Sequence, residues 1–176
     1  MATADTPLHL LFLCTGNSAR SILGEAIANH LGNGRIRAWS AGSRPAGRVH
    51  PQALAELARR GIPAGQVCSK SWDVLATGDA PRFDLVITVC DSAANEACPV
   101  LFGDFAKAHW GLPDPAGQTG DADALAAAFR HTADVLQARL QALLELPLGA
   151  LSRAQLVDAL CRIEAAHPAR PSPVTA

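Results

Sequence analysis

The chain contains no tyrosine, a single methionine and few aromatic residues, 5% in all. Its net charge is only −1. No basic field is available to hold nucleic acid or an anionic membrane, so any anion-binding property must be local. No apolar stretch approaches the roughly 18 residues that a membrane-spanning helix needs. No basic segment precedes the apolar run Leu8 to Leu13, and that run is too short for the core of a secretory signal. A cytoplasmic location is therefore expected. The glycine-rich loop closing in Gly-Lys-Ser/Thr that cradles nucleotide phosphates is absent. The five cysteines, Cys14, Cys68, Cys90, Cys98 and Cys161, are an odd number and fit no fixed disulfide framework. In a reducing compartment they remain mostly thiols. Cys90 and Cys98 are too far apart for the usual zinc pair, and no paired histidines follow nearby.

What is present begins with size. At 176 residues and 49% apolar, the chain can bury one sizeable core. The most informative stretch runs from His9 to Ser21. Leu10 to Leu13 reads as a buried strand that ends in Cys14. Thr15, Gly16, Asn17, Ser18 and Ala19 form a tight turn to Arg20 and Ser21. From there Ile22, Leu23, Ala26, Ile27 and Leu31 follow a helical period that Gly32 closes. Cys14 thus stands where a strand hands over to a helix N-terminus. Successive backbone N–H groups in such a loop make a concave anion nest, and the helix adds about half a positive charge. Arg20 can fork onto two oxygens of a tetrahedral oxyanion. The same field is expected to depress the Cys14 pKa, and Ser21 could donate to the sulfur. A thiol nucleophile beside a bound oxyanion implies attack by sulfur. A buried structural cysteine at a strand end is the plainer reading, but it leaves the register of loop, arginine and helix unexplained.

Further on, Arg35 to Ser40 alternates as a second strand, and Pro51 to Arg60 is helical. The segment from Cys68 to Asp73 takes no clear type. Phe83 to Cys90 reads as a strand buried on both faces, as in a parallel sheet. Lys107 to Trp110 is a fourth, short strand. Asp121 to Glu145 is a long amphipathic helix. Ser152 to Gln155 resembles a capping box that opens a last helix, which runs to Ala166. The Pro-rich end from Pro168 is expected to be disordered. Residues 1–146 are read as one domain and 147–176 as a C-terminal extension. Strands alternating with helices give an α/β fold, a four-stranded parallel sheet flanked by helices in three layers. Ligands of such sheets bind beyond the carboxyl ends of strands, where Cys14 and Cys90 both lie. Cys90 and Cys98 fit a thiol relay at that edge. Asp114, between two prolines, is a candidate general acid or a plain turn residue. His109 and Trp110 read as packing residues, and Cys68 and Cys161 as structural or incidental.

Three separated segments carry a resemblance: Cys14-Thr-Gly-Asn-Ser-Ala-Arg20-Ser21, Val89-Cys90 with Cys98-Pro99, and His109-Trp-Gly-Leu-Pro-Asp114-Pro. Together they resemble the arsenate reductases of the low-molecular-weight tyrosine phosphatase fold, over about Leu10 to Leu144. The resemblance implies that Cys14 attacks arsenate held by the loop and Arg20, while Asp114 protonates the departing oxygen. Cys90 then attacks Cys14, arsenite leaves, and Cys98 attacks Cys90. The resulting Cys90–Cys98 disulfide would be reduced by thioredoxin. Seven residues separate the two cysteines, one more than in the best-known thioredoxin-coupled members. Glutathione with glutaredoxin, or mycothiol, are the alternative reductants. No bound cofactor is implied, although some relatives hold a potassium ion beside the loop. Asn17, Glu25, Ser40 and Asp73 are the matching positions. Phosphate and sulfate are expected mimics of arsenate. The rival reading is a phosphatase acting on small phosphoesters or phosphotyrosine. Against it, such enzymes carry tyrosines just after the acid, where this chain has Ala116-Gly117. A non-enzymatic arsenic- or redox-responsive binding protein is the third reading.

Overall fold

The computed structural model describes residues 6–91, 93 and 104–169. The expectations for Cys98, and for the tail beyond Ala169, fall outside them. Four strands form one parallel sheet: β1 (Leu8–Cys14), β2 (Ile36–Gly42), β3 (Leu85–Thr88) and β4 (Ala106–His109). Their order is β2-β1-β3-β4. All neighbours are parallel, with Cys14 opposite Gly42 and Leu13 opposite Thr88. The strand expected over Phe83 to Cys90 is thus shorter, and Cys90 lies two residues beyond its end.

Period-two alternation along β1 sorts side chains to the two faces. Leu10, Phe12 and Cys14 join the larger core, and Leu11 and Leu13 the smaller one. Against the larger face pack α1 (Arg20–Gly32), α2 (Pro51–Arg59), α3 (Ala122–Leu144) and α4 (Arg153–Ala166). The smaller core is completed by Leu75, Phe83 and Val86, with Trp39 and Trp72 at its margin. The first face is where α1 meets β1 most closely. A Cβ on Gly24 would lie 2.9 Å from the Phe12 ring, so only glycine lets the helix sit there.

Each helix start has an identifiable physical reason. His50 caps α2 through Nδ1, with Pro51 at the first helical position. Asp121 caps α3 by accepting from the Ala124 N–H at 2.9 Å. Ser152 and Gln155 make the reciprocal capping-box bonds at the start of α4. Helix α1 differs: Ala19 stands at its N-cap with no side-chain acceptor. Its start is left to the loop that precedes it. Leu156, Leu160 and Ile163 of α4 belong to the same core as the sheet, so the packing continues through residue 147 without a break.

Candidate active site

Cys14 is the last residue of β1 and is 3% exposed. The loop after it is held from outside. The carbonyls of Thr15, Gly16 and Ser18 accept from the backbone N–H groups of Arg44, Ala46 and His50, all at 2.9 Å. With its carbonyls occupied outward, the loop turns its amide side toward Cys14, and the Gly16 N–H bonds the sulfur. Asn17 adopts a left-handed φ of 44°, a conformation that asparagine tolerates well. Its side chain is fully buried. Nδ2 donates to Ser21 Oγ (2.8 Å) and Ser40 Oγ (3.0 Å), and Oδ1 accepts the Lys70 N–H (2.9 Å). Gly42 completes the support. A Cβ there would lie 2.4 Å from the Thr15 carbonyl oxygen.

Arg20 opens α1 and reaches across the mouth of the loop. Its Nη1 donates to the Leu112 carbonyl at 3.0 Å, and Nη2 lies 4.0 Å from Asp114 Oδ1. Asp114 accepts from the Ala116 N–H at 3.1 Å and caps the single turn Pro115–Gly117. It is therefore a turn residue and a cleft residue at once. Its side chain is 53% exposed, so it can exchange protons with water. The two residues line a cleft of about 820 Å³ with Thr15, Cys90 and Glu164.

Cys90 is the second thiol of the site. Its sulfur accepts from the Thr15 N–H (3.3 Å) and the Ala93 N–H (3.3 Å), and lies 3.4 Å from Thr15 Oγ1. Cys14 lies beside it, and the influence of each thiol on the other is the largest acting on either. It pushes Cys14 up, burial pushes the same way, and Arg20 and the Gly16 N–H pull back. The same influence pulls Cys90 down to about 5, against burial and with the help of Thr15 and Ala93. The two thiols therefore titrate as one interacting pair. Against the expectation that the nest depresses the Cys14 pKa, Cys90 and burial raise it in this geometry. Arg20 and the Gly16 N–H act on Cys14 in the expected direction, while Cys90, equally buried, collects more donors.

The four positions considered for potassium divide. Asn17, Ser40 and Glu25 form a hydrogen-bonded chain, with Ser40 donating to Glu25 Oε2 at 2.5 Å. Burial raises the Glu25 pKa, while Ser40 and the nearby charge of Lys70 lower it. Asp73 is exposed and bonds Ser71 beside it. Among the described residues no group of three or more His, Cys, Asp or Glu side chains could hold a metal. Trp110 is fully buried, as expected of a packing residue, whereas His109 bridges Thr88 Oγ1 (2.8 Å) and Asp91 (3.0 Å) through polar contacts. Cys68 and Cys161 are exposed. Sequence reasoning missed the Leu112 carbonyl, the backbone of Lys70 and Glu164. None of these carries a local signal. Gly42 alone had one, as a glycine at a strand end.

This geometry has close counterparts. Residues 9–156 match the family described as low molecular weight phosphotyrosine protein phosphatase. An arsenate reductase of Bacillus subtilis (strain 168) is 31% identical over 132 residues, covering 75% of this chain and 91% of its own length. The crystal structure of arsenate reductase from Archaeoglobus fulgidus superposes with a TM-score of 0.61 at 30% identity, covering 78% of this chain and 99% of that one. An arsenate reductase in the phosphate binding state gives 0.59 at 28% identity, covering 78% and 96%. The match spans most of the chain, which belongs to the low molecular weight phosphotyrosine protein phosphatase family, alongside its arsenate reductases.

Proposed function

We propose that this protein reduces arsenate to arsenite in the cytoplasm by a relay of cysteine thiols. The observation that supports this reading best is the seating of the Cys90 sulfur on the Thr15 N–H at 3.3 Å, directly beside Cys14. A second thiol against the nucleophile has no role in hydrolysing a phosphate ester, but it is required if the nucleophile's sulfur is to be attacked next. In the first step the oxyanion lies in the nest of Thr15 to Ala19 under Arg20. A proton passes from Cys14 to Cys90, and Cys14 attacks arsenic. Asp114 gives its proton to the departing oxygen, which leaves as water. In the second step Cys90, having lost its proton to solvent, attacks the Cys14 sulfur. The S–S bond forms and the S–As bond breaks. Its electron pair stays on arsenic, which leaves as arsenite. In the third step Cys98 attacks Cys90, Cys14 departs as a thiolate, and an external dithiol such as thioredoxin reduces the Cys90–Cys98 disulfide. Glutathione with glutaredoxin is the competing reductant.

The test is arsenate-dependent oxidation of NADPH with the thioredoxin and the glutathione systems supplied separately. Turnover with thioredoxin alone supports the full relay. Turnover with glutathione alone retains the first two steps and replaces the third. No turnover with either, together with hydrolysis of a small phosphoester, would move the protein to the phosphatase reading, which the loop, Arg20 and Asp114 serve equally well.

A further inference from the structure

The strand that carries Asp114 to the cleft lies at the edge of the sheet, after β3 in the order β2-β1-β3-β4. Beyond β4 the chain continues extended. The Trp110 N–H donates to the Thr88 carbonyl (2.8 Å) and the Leu112 N–H to the Val89 carbonyl (3.1 Å). Between them the Gly111 N–H points away from the sheet, as the alternation of an edge strand requires. It donates to Glu164 Oε1 of α4 at 3.3 Å. One turn earlier on the same helix the Leu160 carbonyl accepts from Trp110 Nε1 at 3.1 Å.

The residues so held are the ones on which the site leans. The Leu112 carbonyl holds the Arg20 guanidinium, and Asp114 follows two residues later. Glu164 itself lines the cleft. A carboxylate on the wall of an anion-binding cleft repels the ligand, so packing does not explain it. Leu156, Leu160 and Ile163 already dock α4 onto the core. Arg139 offsets the cost. It is 1% exposed, carries charge within reach of Glu164, donates from Nε to the His167 carbonyl at the end of α4, and lies 5.8 Å over the Trp110 ring. The Gly111 position is tight for any larger residue, since a Cβ there would lie 3.0 Å from His109 Nε2.

We infer that α4 is part of the catalytic apparatus and that Glu164 is a positioning residue, which through the Gly111 N–H sets the Leu112 carbonyl and hence the placement of Arg20 and Asp114. This rests on the oxyanion-binding part of the function proposed above. The full chain carrying Glu164→Ala or Glu164→Gln tests it. Affinity is read as the protection of Cys14 from alkylation by inorganic phosphate, and chemistry as the single-turnover rate with arsenate. Glutamine keeps an acceptor oxygen; alanine does not. Glu164→Ala is expected to weaken phosphate protection and slow turnover by about 10-fold, the usual worth of a hydrogen bond to a charged group. Glu164→Gln is expected to stay within about threefold of wild type, because the acceptor survives. Wild-type behaviour of the alanine variant overturns the inference, as does equal loss in both variants. If Glu164→Ala does not fold, Trp110→Phe decides. It removes the donor to Leu160 and part of the ring under Arg139, both ties between α4 and this strand, and unchanged protection in it overturns the inference. Phosphate protection in a wild-type protein that fails to reduce arsenate would sink the functional reading while leaving this one to be settled by the protection data.

Discussion

The two walls of the cleft are built in opposite ways. One is a single stretch, Cys14 to Arg20, whose strand, loop and helix follow one another in the chain. The other gathers Cys90, Leu112 with Asp114, and Glu164 from three separate segments. The first wall binds through backbone amides and one guanidinium, and is rigid because its carbonyls are tied to the segment behind it. The second presents a thiol, a carboxyl and a carbonyl brace, and its exposure is uneven: Cys90 and Leu112 are buried, whereas the Asp114 side chain is 53% exposed. A contiguous loop suits the task of holding a fixed tetrahedral anion. A composite wall suits groups that must exchange protons or attack in turn.

Breaking the first wall at its nucleophile has the largest expected effect. Cys14→Ser should abolish arsenate reduction and any phosphatase side activity together. Retention of either at the wild-type rate would show that the contiguous wall does not hold the nucleophile. Cys90→Ser sharpens the contrast. It should stop arsenite release yet leave phosphate protection of Cys14 intact, which separates binding from resolution.

Asp114→Asn comes next. It should lower the rate by roughly 10²–10⁴-fold, the range for general acid catalysis, while phosphate binding survives. An unchanged rate in a single-turnover assay would leave Asp114 with its turn alone.

A smaller effect is expected behind the loop. Gly42→Ala places a Cβ 2.4 Å from the Thr15 carbonyl oxygen, against backbone that cannot swing aside. Overpacking of this kind costs roughly 1–3 kcal/mol. The denaturant midpoint should fall and phosphate protection weaken in step. A stable variant with normal protection would mean that the loop can shift freely, and that its rigidity is not what distinguishes the two walls.

The mildest test concerns where the two walls touch. With Cys90 down to about 5, alkylation of this thiol should stay fast down to about that pH and fall below it. Cys90→Ala removes the main influence raising Cys14, leaving burial opposed by Arg20 and the Gly16 N–H. The Cys14 pKa should therefore drop, and its alkylation profile shift to lower pH. Cys14→Ala should move Cys90 the other way, since its largest stabilising contact is lost. Profiles that ignore each other's mutation would show that the thiols do not titrate as a pair.

The sequence by itself determined the first wall almost completely. An apolar run, a cysteine, a five-residue turn, an arginine and a helical period are all local signals, because strand, nest and helix dipole arise between neighbours in the chain. It also determined the sheet class, through apolar runs buried on both faces, and the caps at Asp121 and Ser152, which act within four residues. Only the tertiary structure decided how the two thiols act on each other. That depends on how Cys90, 76 positions after Cys14, is seated against Thr15 and Ala93. Tertiary structure likewise brought the Leu112 carbonyl to Arg20 and Glu164 to Gly111, pairs separated by 92 and 53 positions. A backbone carbonyl has no identity in the sequence, and a glutamate in a helix looks like any other. Their roles arise from the sheet order, which makes β4 an edge and leaves one outward N–H for α4 to satisfy.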